Sequence, residues 1–285
     1  MSPEHPARWL EFAVEVPREA EEAAADTLRR FAPRGVAIEP TGESVVVKAW
    51  LPDGADIARQ RRAVRRALAS LPATVRTHWL REEDWAEAWK AYFPVLRISP
   101  RLVICPAWRS YRARRGETVI RLDPGMAFGT GQHPTTAMCL RALEETVRPG
   151  ADVLDLGAGS GVLALAAARL GAASVLALDN DPQAVQAARQ NMRLNGLEAV
   201  VRVEEGTLEG ALGPFDVVVA NINAPVIVEL AGAMAATLRP GGTLIAGGFS
   251  EARSEEVAAG LSAAGLTVER TLSDGEWRTL VGVRG

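Results

Sequence analysis

Apolar residues alternate with others along residues 9–16, where Leu10, Phe12, Val14 and Val16 are separated by Glu11, Ala13 and Glu15. A period of two is that of a strand with one buried face. Pro17 then opens a helix to about residue 31, with Glu19, Glu21 and Glu22 near its positive end. A strand pair is expected at 35–39 and 44–51, turning at Thr41-Gly42, followed by a helix over 56–70 and a strand over 74–80. Strand, helix, strand, strand, helix, strand is the order of a ferredoxin-like split βαβ unit, so residues 1–77 are expected to form a small α+β domain.

Trp85, Trp89 and Tyr92 follow at spacings of four and three, one face of a helix that Pro94 ends. Such a stripe is ordinarily core. Its place between two patterns of different type favours a hinge, and residues 78–95 are expected to be a linker helix. From about residue 151 strands and helices alternate to the end. Strands are expected at 152–156, 174–179, 200–204, 215–220 and 243–246, and helices at 161–170, 182–195, 225–238 and 251–264. Segments 266–272 and 277–283, joined by Ser273-Asp274-Gly275, read as a hairpin. This layout implies an α/β domain over 96–285: a doubly wound, mostly parallel seven-stranded sheet, to which the hairpin adds an antiparallel strand.

The 285 residues are 48% apolar and 24% charged, which excludes wholesale disorder. Cys105 and Cys139 are far apart and match no metal-ligand spacing, the usage of a reducing cytoplasm. The N-terminus lacks a secretion signal, and the apolar stretch 162–178 is broken by Arg169 and Gly171. A soluble, cytoplasmic protein without membrane contact is expected. Net charge is −3, against a generic polyanion binder, but residues 96–124 carry seven arginines against Glu117 and Asp123. That stretch is a solvated face or part of an RNA contact.

The strongest local chemistry lies in Asp155-Leu156-Gly157-Ala158-Gly159-Ser160-Gly161, at the first strand-to-helix junction of the second domain. Glycine lets the backbone turn sharply and approach a ligand, although tight turns use it for structure alone. Asp179 closes the next strand, where a carboxylate can accept both hydroxyls of an adenosine ribose. A dinucleotide site wants G-x-G-x-x-G, whereas this loop is G-x-G-x-G with Asp155 two residues before it. That carboxylate suits a ligand with a cationic amino-acid end, such as S-adenosylmethionine, and hydride transfer is demoted. Asn221 follows the fourth strand of this domain, where its side-chain oxygen and a following carbonyl, that of Ile222, can accept from an attacking amine; an Asn merely turning the chain is the alternative. Residues 122–136 combine three glycines, Phe128, Thr135 and Thr136 just before a helix, as a lid over a ligand or a simple helix cap.

Together Asp123-Pro124-Gly125-Met126-Ala127-Phe128-Gly129-Thr130-Gly131-Gln132-His133-Pro134-Thr135-Thr136, the loop from Asp155 to Gly161, Asp179-Asn180-Asp181-Pro182 and Val219-Ala220-Asn221-Ile222 resemble the PrmA family, the bacterial methyltransferases of large-subunit ribosomal protein eleven. Glu83 to Trp89 and Ile104-Cys105-Pro106-Ala107-Trp108 are similar to its linker region, and the resemblance covers most of residues 80–285. It implies a class I S-adenosylmethionine-dependent methyltransferase fold behind a small domain that docks the protein substrate. Its cofactor positions fall on Thr136, Gly157, Asp179 and Asn221. It implies methylation of the N-terminal α-amine and lysine ε-amines of that ribosomal protein. A monomer is expected.

Asp155, Gly159 and Phe128 join the cofactor set on chemical grounds, Phe128 as a wall for the cation or else a core residue. Asn221 and Ile222 are the candidate catalytic pair, and no metal is required. His133 is a structural loop residue or, less in keeping with a lone His before Pro, a general base. Two other functions compete. One is N-methylation of a nucleic-acid base or glutamine amide, whose enzymes carry Asn-Pro-Pro-aromatic where this chain has Asn221-Ile222-Asn223-Ala224. The other is a non-catalytic ribosome-assembly binding protein, against which the intact Gly157, Asp179 and Asn221 speak.

Overall fold

A computed structural model describes residues 8–32, 35–42, 44–54, 56–81, 90, 93–123, 129–210 and 213–285. The chain divides into two compact units, Met1–Pro94 and Val95–Gly285.

In the first unit β1 (Arg8–Pro17) is followed by a 3-10 turn and α1 (Glu21–Arg29). Then come β2 (Val36–Thr41), β3 (Ser44–Pro52), α2 (Ile57–Ala67) and β4 (Thr74–Arg81). The strands form an antiparallel sheet in the order β2-β3-β1-β4. The alternation read in the sequence is the alternation of faces. Leu10, Phe12, Val14 and Val16 join Val45, Val47, Ala49 and Leu51 in a core that Leu28 of α1 and Val64 of α2 close. Each large side chain removed from water there contributes about 1.5–3 kcal/mol. β4 continues to Arg81, one residue past the strand expected at 74–80, so residues 78–81 belong to this strand and not to the linker helix expected from residue 78. The pairing of Leu80 with Trp9 and of Arg81 with Arg8 holds them in the sheet. Trp85, Trp89 and Tyr92 lie outside the described residues.

The second unit begins with β5 (Leu96–Arg97), β6 (Leu102–Pro106) and β7 (Thr118–Leu122). These form their own sheet, β5 antiparallel to β6 and β6 parallel to β7. No strand was expected here, and the arginines of this stretch are partly structural. Arg97 pairs with the buried Glu117 carboxylate at 2.6 Å, and Tyr111 Oη donates to the same group at 2.8 Å. A hydrogen bond from the Arg114 backbone N–H, then those from Arg97 and Tyr111, hold Glu117 down to about 2. Arg121 donates to the carbonyls of Ala107 and Arg109.

The chain continues through α3 (Pro134–Thr146), β8 (Asp152–Leu156), α4 (Val162–Arg169), β9 (Ser174–Asp179), α5 (Pro182–Asn195) and β10 (Val201–Glu205). It ends with β11 (Phe215–Asn221), α6 (Ala224–Thr237), β12 (Leu238–Ser250), α7 (Ser254–Ala263), β13 (Leu266–Asp274) and β14 (Trp277–Arg284). Among the described residues the main sheet has seven strands in the order β10-β9-β8-β11-β12-β14-β13. Neighbours are parallel except where β14 runs antiparallel to β12 and β13. Val153, Val175, Val217, Val219 and Ile245 face a core shared with α3, α4 and α5. Leu154, Leu176, Val218 and Leu244 face the other, with α6 and α7. Near-continuous apolar strands are what burial on both faces demands. Strand order reverses between β8 and β11, and at such a switch point the carboxyl ends of the strands open a crevice.

Candidate functional site

Three segments converge on that crevice. The loop after β8 is built on three left-handed glycines, Gly157 (φ 76°), Gly159 (φ 54°) and Gly161 (φ 81°). A side chain at Gly157 would also place its Cβ 2.5 Å from Cγ2 of Ile222, so the loop lies directly on the residue that follows β11. The Gly157 and Ala158 N–H groups donate to the Leu178 carbonyl at 2.9 and 3.0 Å, tying the loop to β9.

Asp179 ends β9 with both oxygens engaged by backbone. Oδ2 accepts from Gly159 N–H at 2.8 Å and Oδ1 from Asp181 N–H at 3.0 Å. Each carboxylate oxygen keeps a further lone pair. Two of the expected residues, Gly159 and Asp179, are therefore in direct contact.

Asp155 is wholly buried. Its Oδ2 accepts from Ala164 N–H of α4 at 3.0 Å, and its Oδ1 has no partner among the described residues. Burial pushes its pKa up to about 7, partly offset by the Ala164 bond and reinforced by the neighbouring Asp179 charge. In the sheet Asp155 lies opposite Val219, so Asn221, two residues on, shares its face of the adjacent strand. Asn221 Nδ2 donates to Oγ1 of the buried Thr136 at 3.0 Å, leaving Oδ1 as a second buried acceptor without a partner among the described residues. Thr136 and Asn221, 85 residues apart, thus meet, and the hydroxyl sets which end of the amide stays open.

Ile222 is held from behind. Its N–H donates to the Gly247 carbonyl at 3.1 Å, and its own carbonyl lies 2.3 Å from where a Cβ on Gly248 (φ 97°) would stand. Sequence reasoning missed Gly247-Gly248. Paired glycines inside a strand mark close backbone approach, and that signal was available.

The segment before α3 reaches the loop through Ser160 Oγ, which donates to the Gly129 carbonyl at 2.5 Å. Phe128 lies outside the described residues. His133 caps α3, its Nδ1 accepting from Thr135 N–H at 3.3 Å, with its ring edge-on to Trp277 at 4.5 Å. Asn191, also missed, is fully buried on α5 and exchanges hydrogen bonds with the Asp123 backbone while donating to the Ser160 carbonyl at 2.9 Å. Asn195, one turn on, does the same for Arg121. Two asparagines four apart on the face that carries Ala184, Ala188 and Met192 were the signal for this clamp.

Among the described residues no three His, Cys, Asp or Glu side chains gather as a metal site. No helix is long and apolar enough to cross a membrane.

Residues 8–285 match the family model for ribosomal protein L11 methyltransferase (PrmA). The chain is 41% identical over 318 aligned residues to the ribosomal protein L11 methyltransferase of Chloroflexus aurantiacus, covering 96% of this chain and 97% of that one. It is 43% identical over 286 residues to that of Symbiobacterium thermophilum, covering 91% and 93%. The crystal structure of ribosomal protein L11 methylase from Lactobacillus delbrueckii subsp. bulgaricus superposes with a TM-score of 0.61 at 33% identity, over 67% of this chain and 98% of that one. With a family match over nearly its whole length and relatives this similar, the chain belongs to the ribosomal protein L11 methyltransferase (PrmA) family.

Proposed function

We propose that the protein moves methyl groups from S-adenosylmethionine to ribosomal protein L11, at its N-terminal α-amine and lysine ε-amines. Family membership supports the donor and the substrate. The observation that carries the site is the pair of buried, unpartnered acceptors, Asp155 Oδ1 and Asn221 Oδ1, on one face of adjacent strands beside the glycine loop. Buried acceptors left unpaired are costly, and a ligand bringing N–H or N⁺–H donors would relieve both.

The residues fit the donor. Asp155, Gly157 and Gly159 would take its amino-acid end, Asp179 its ribose hydroxyls, and Thr136 and Asn221 the region beside the reacting centre, with Phe128 as a further wall. When bound, S-adenosylmethionine supplies a methyl group on a sulfonium that is already an activated leaving group. The chain's own task is positional. Fewer than about one lysine in a thousand is neutral at pH 7, so the site must select the free amine. Asn221 Oδ1 and the Ile222 carbonyl accept the amine's hydrogens and aim its lone pair, while the Thr136 hydroxyl keeps the amide from turning its NH₂ toward the amine. Asn223 is spent elsewhere: its Oδ1 accepts from Val226 N–H and caps α6, unlike the Asn-Pro-Pro-aromatic layout of base and glutamine methyltransferases.

We assign the first unit, with its β2-β3-β1-β4 order read as ferredoxin-like, to substrate recognition, its sheet running through Arg81 rather than ending at residue 77. The segment after Arg81, up to residue 95, joins it to the catalytic domain, 96–285. The protein acts in the cytoplasm as a monomer; two free, buried cysteines accord with a reducing compartment. Contact of the 96–124 stretch with ribosomal RNA would fall to Arg112, Arg114 and Arg115, whose side chains make no ion pair with a described residue. The test is incubation with labelled S-adenosylmethionine and unmethylated L11, beside a nucleic acid and a glutamine-bearing release-factor peptide. Label in L11 alone, on its amines, is expected; label in either alternative, or in none, would sink the assignment.

A further inference from the structure

The densest positive charge of the chain lies on α2, IARQRRAVRRA, rather than in the stretch 96–124. Val64 and, just beyond the helix, Leu68 are buried against the sheet. Arg59, Arg61, Arg62, Arg65 and Arg66 are all exposed. At 3.6 residues per turn they occupy one continuous arc of about 160°. None makes an ion pair or side-chain hydrogen bond with a described residue, and the sequence has no carboxylate between Asp56 and Glu82. Arginines at 59 and 62, 62 and 65, 61 and 65, and 62 and 66 stand three or four apart, spacings at which like charges repel. A fold that gathers five cations on one helix face and leaves all of them unneutralised has built half of an electrostatic pair.

We propose that this face of α2 docks on the phosphodiester backbone of RNA. From Arg59 to Arg66 the helix rises about 10 Å, so it presents one positive charge per roughly 2 Å of axis. A nucleic-acid duplex presents one negative charge per roughly 1.7 Å, and guanidinium forks match phosphate oxygens two by two. An acidic protein surface seldom sustains that density, because its own charges repel. Nor does the face suit the methylated segments of the substrate, whose lysines carry the same sign. The choice of RNA over DNA rests on the proposed function, since a ribosomal protein works against RNA; the attraction to phosphate does not.

The test uses the full chain and a fluorescein-labelled RNA duplex of about 20 base pairs, followed by anisotropy from about 50 to about 200 mM salt. Wild type should bind at low salt and lose at least about tenfold in affinity over that range. A variant carrying Arg61→Gln, Arg62→Gln, Arg65→Gln and Arg66→Gln should bind at least about tenfold more weakly at low salt, with a shallower salt slope. It should keep its far-ultraviolet circular dichroism and its S-adenosylmethionine affinity, and Arg→Lys at the same four positions should restore the salt slope and part of the affinity, since the charge returns without the guanidinium fork. The proposal is overturned by a wild type that does not bind, by a Gln variant that binds like wild type, or by polyglutamate displacing the RNA at equal charge. It is equally overturned if Arg112→Gln with Arg114→Gln and Arg115→Gln abolishes binding instead, whereas a DNA duplex, with the same phosphate backbone, should bind with a similar salt slope. Wild type that binds RNA yet leaves L11 unmethylated would sink the function and leave the backbone contact standing.

Discussion

Asp155 is a carboxyl wholly out of water with one of its oxygens unpaired among the described residues. Burial lifts its pKa from 3.8 to about 7. The folded state thus keeps a proton that the unfolded chain releases at lower pH, so ν_N exceeds ν_U between those values and stability falls as pH rises through that window. If the shift were realised in full, the loss would be roughly 4 kcal/mol. Asp155→Asn retains an acceptor for Ala164 N–H but cannot ionise. Its stability relative to wild type should therefore climb between about pH 4 and 7 and level off above, as urea midpoints at three pH values would show. A difference that does not change with pH would mean that Asp155 is not the titrating group. Asp179 differs because it is only half buried and already held by two backbone N–H groups. Asp179→Ala should weaken S-adenosylmethionine binding by about 1.5–3 kcal/mol, the range for hydrogen bonds to a charged group. Calorimetry giving unchanged affinity would remove it from the site.

Among the elements, Ile222 is the point where the β8 loop and β12 meet, and glycine chemistry makes the meeting specific. Gly157 and Gly248 both have positive φ and both face Ile222, but Gly157 faces its side chain and Gly248 its carbonyl. Gly157→Ala and Gly248→Ala should each destabilise the protein by about 2–4 kcal/mol through left-handed strain and overpacking. Only the first should be eased by Ile222→Ala, which removes the Cγ2 that the new methyl meets. A double-mutant cycle in urea should therefore show coupling of at least about 1 kcal/mol for 157 with 222 and near none for 248 with 222. Equal coupling in both cycles would refute this geometry. These contacts also mark how far the sequence could be read. The loop, Asp179, Thr136 and Asn221 were legible because each closes a strongly periodic strand or opens a helix. The strands β5, β6 and β7 were not, since two to five residues among arginines and prolines show no period. Asn191 and Asn195 were passed over although they share the apolar face of α5, because that face marks them as buried without showing which backbone they satisfy. The end of β4 fell within one residue of the expected strand, but the linker helix was begun at residue 78, inside it, because nothing between Leu80 and the equally polar Glu82 and Glu83 marks a boundary.

At the scale of the whole molecule, the two units are built on separate hydrophobic cores. Phe12, Leu28 and Val64 belong to one, and every strand of the seven-stranded sheet packs into two others that contain no residue before Leu96. The loop glycines, Asp155, Asp179, Thr136 and Asn221 all take their hydrogen bonds and close contacts from within residues 95–285. On the proposed assignment of recognition to the first unit, cutting the chain between the units separates it from the chemistry. The fragment 95–285 should fold cooperatively, because its strands bury both faces without help from the first unit. Its affinity for S-adenosylmethionine should stay within about threefold of full length, a difference below about 0.7 kcal/mol. Methylation of L11 should fall by at least about a hundredfold, the loss of roughly 3 kcal/mol or more of docking energy that no longer holds the substrate's amines at the site. The two readouts are needed together. Loss of both would mean that the fragment is misfolded or that the first unit shapes the donor site, and an intact far-ultraviolet circular dichroism spectrum with a cooperative urea transition would exclude the former. Retention of both would show that L11 is recognised by the catalytic unit itself. The first unit would then be free for another partner, and its arginine helix would be the first place to look for one.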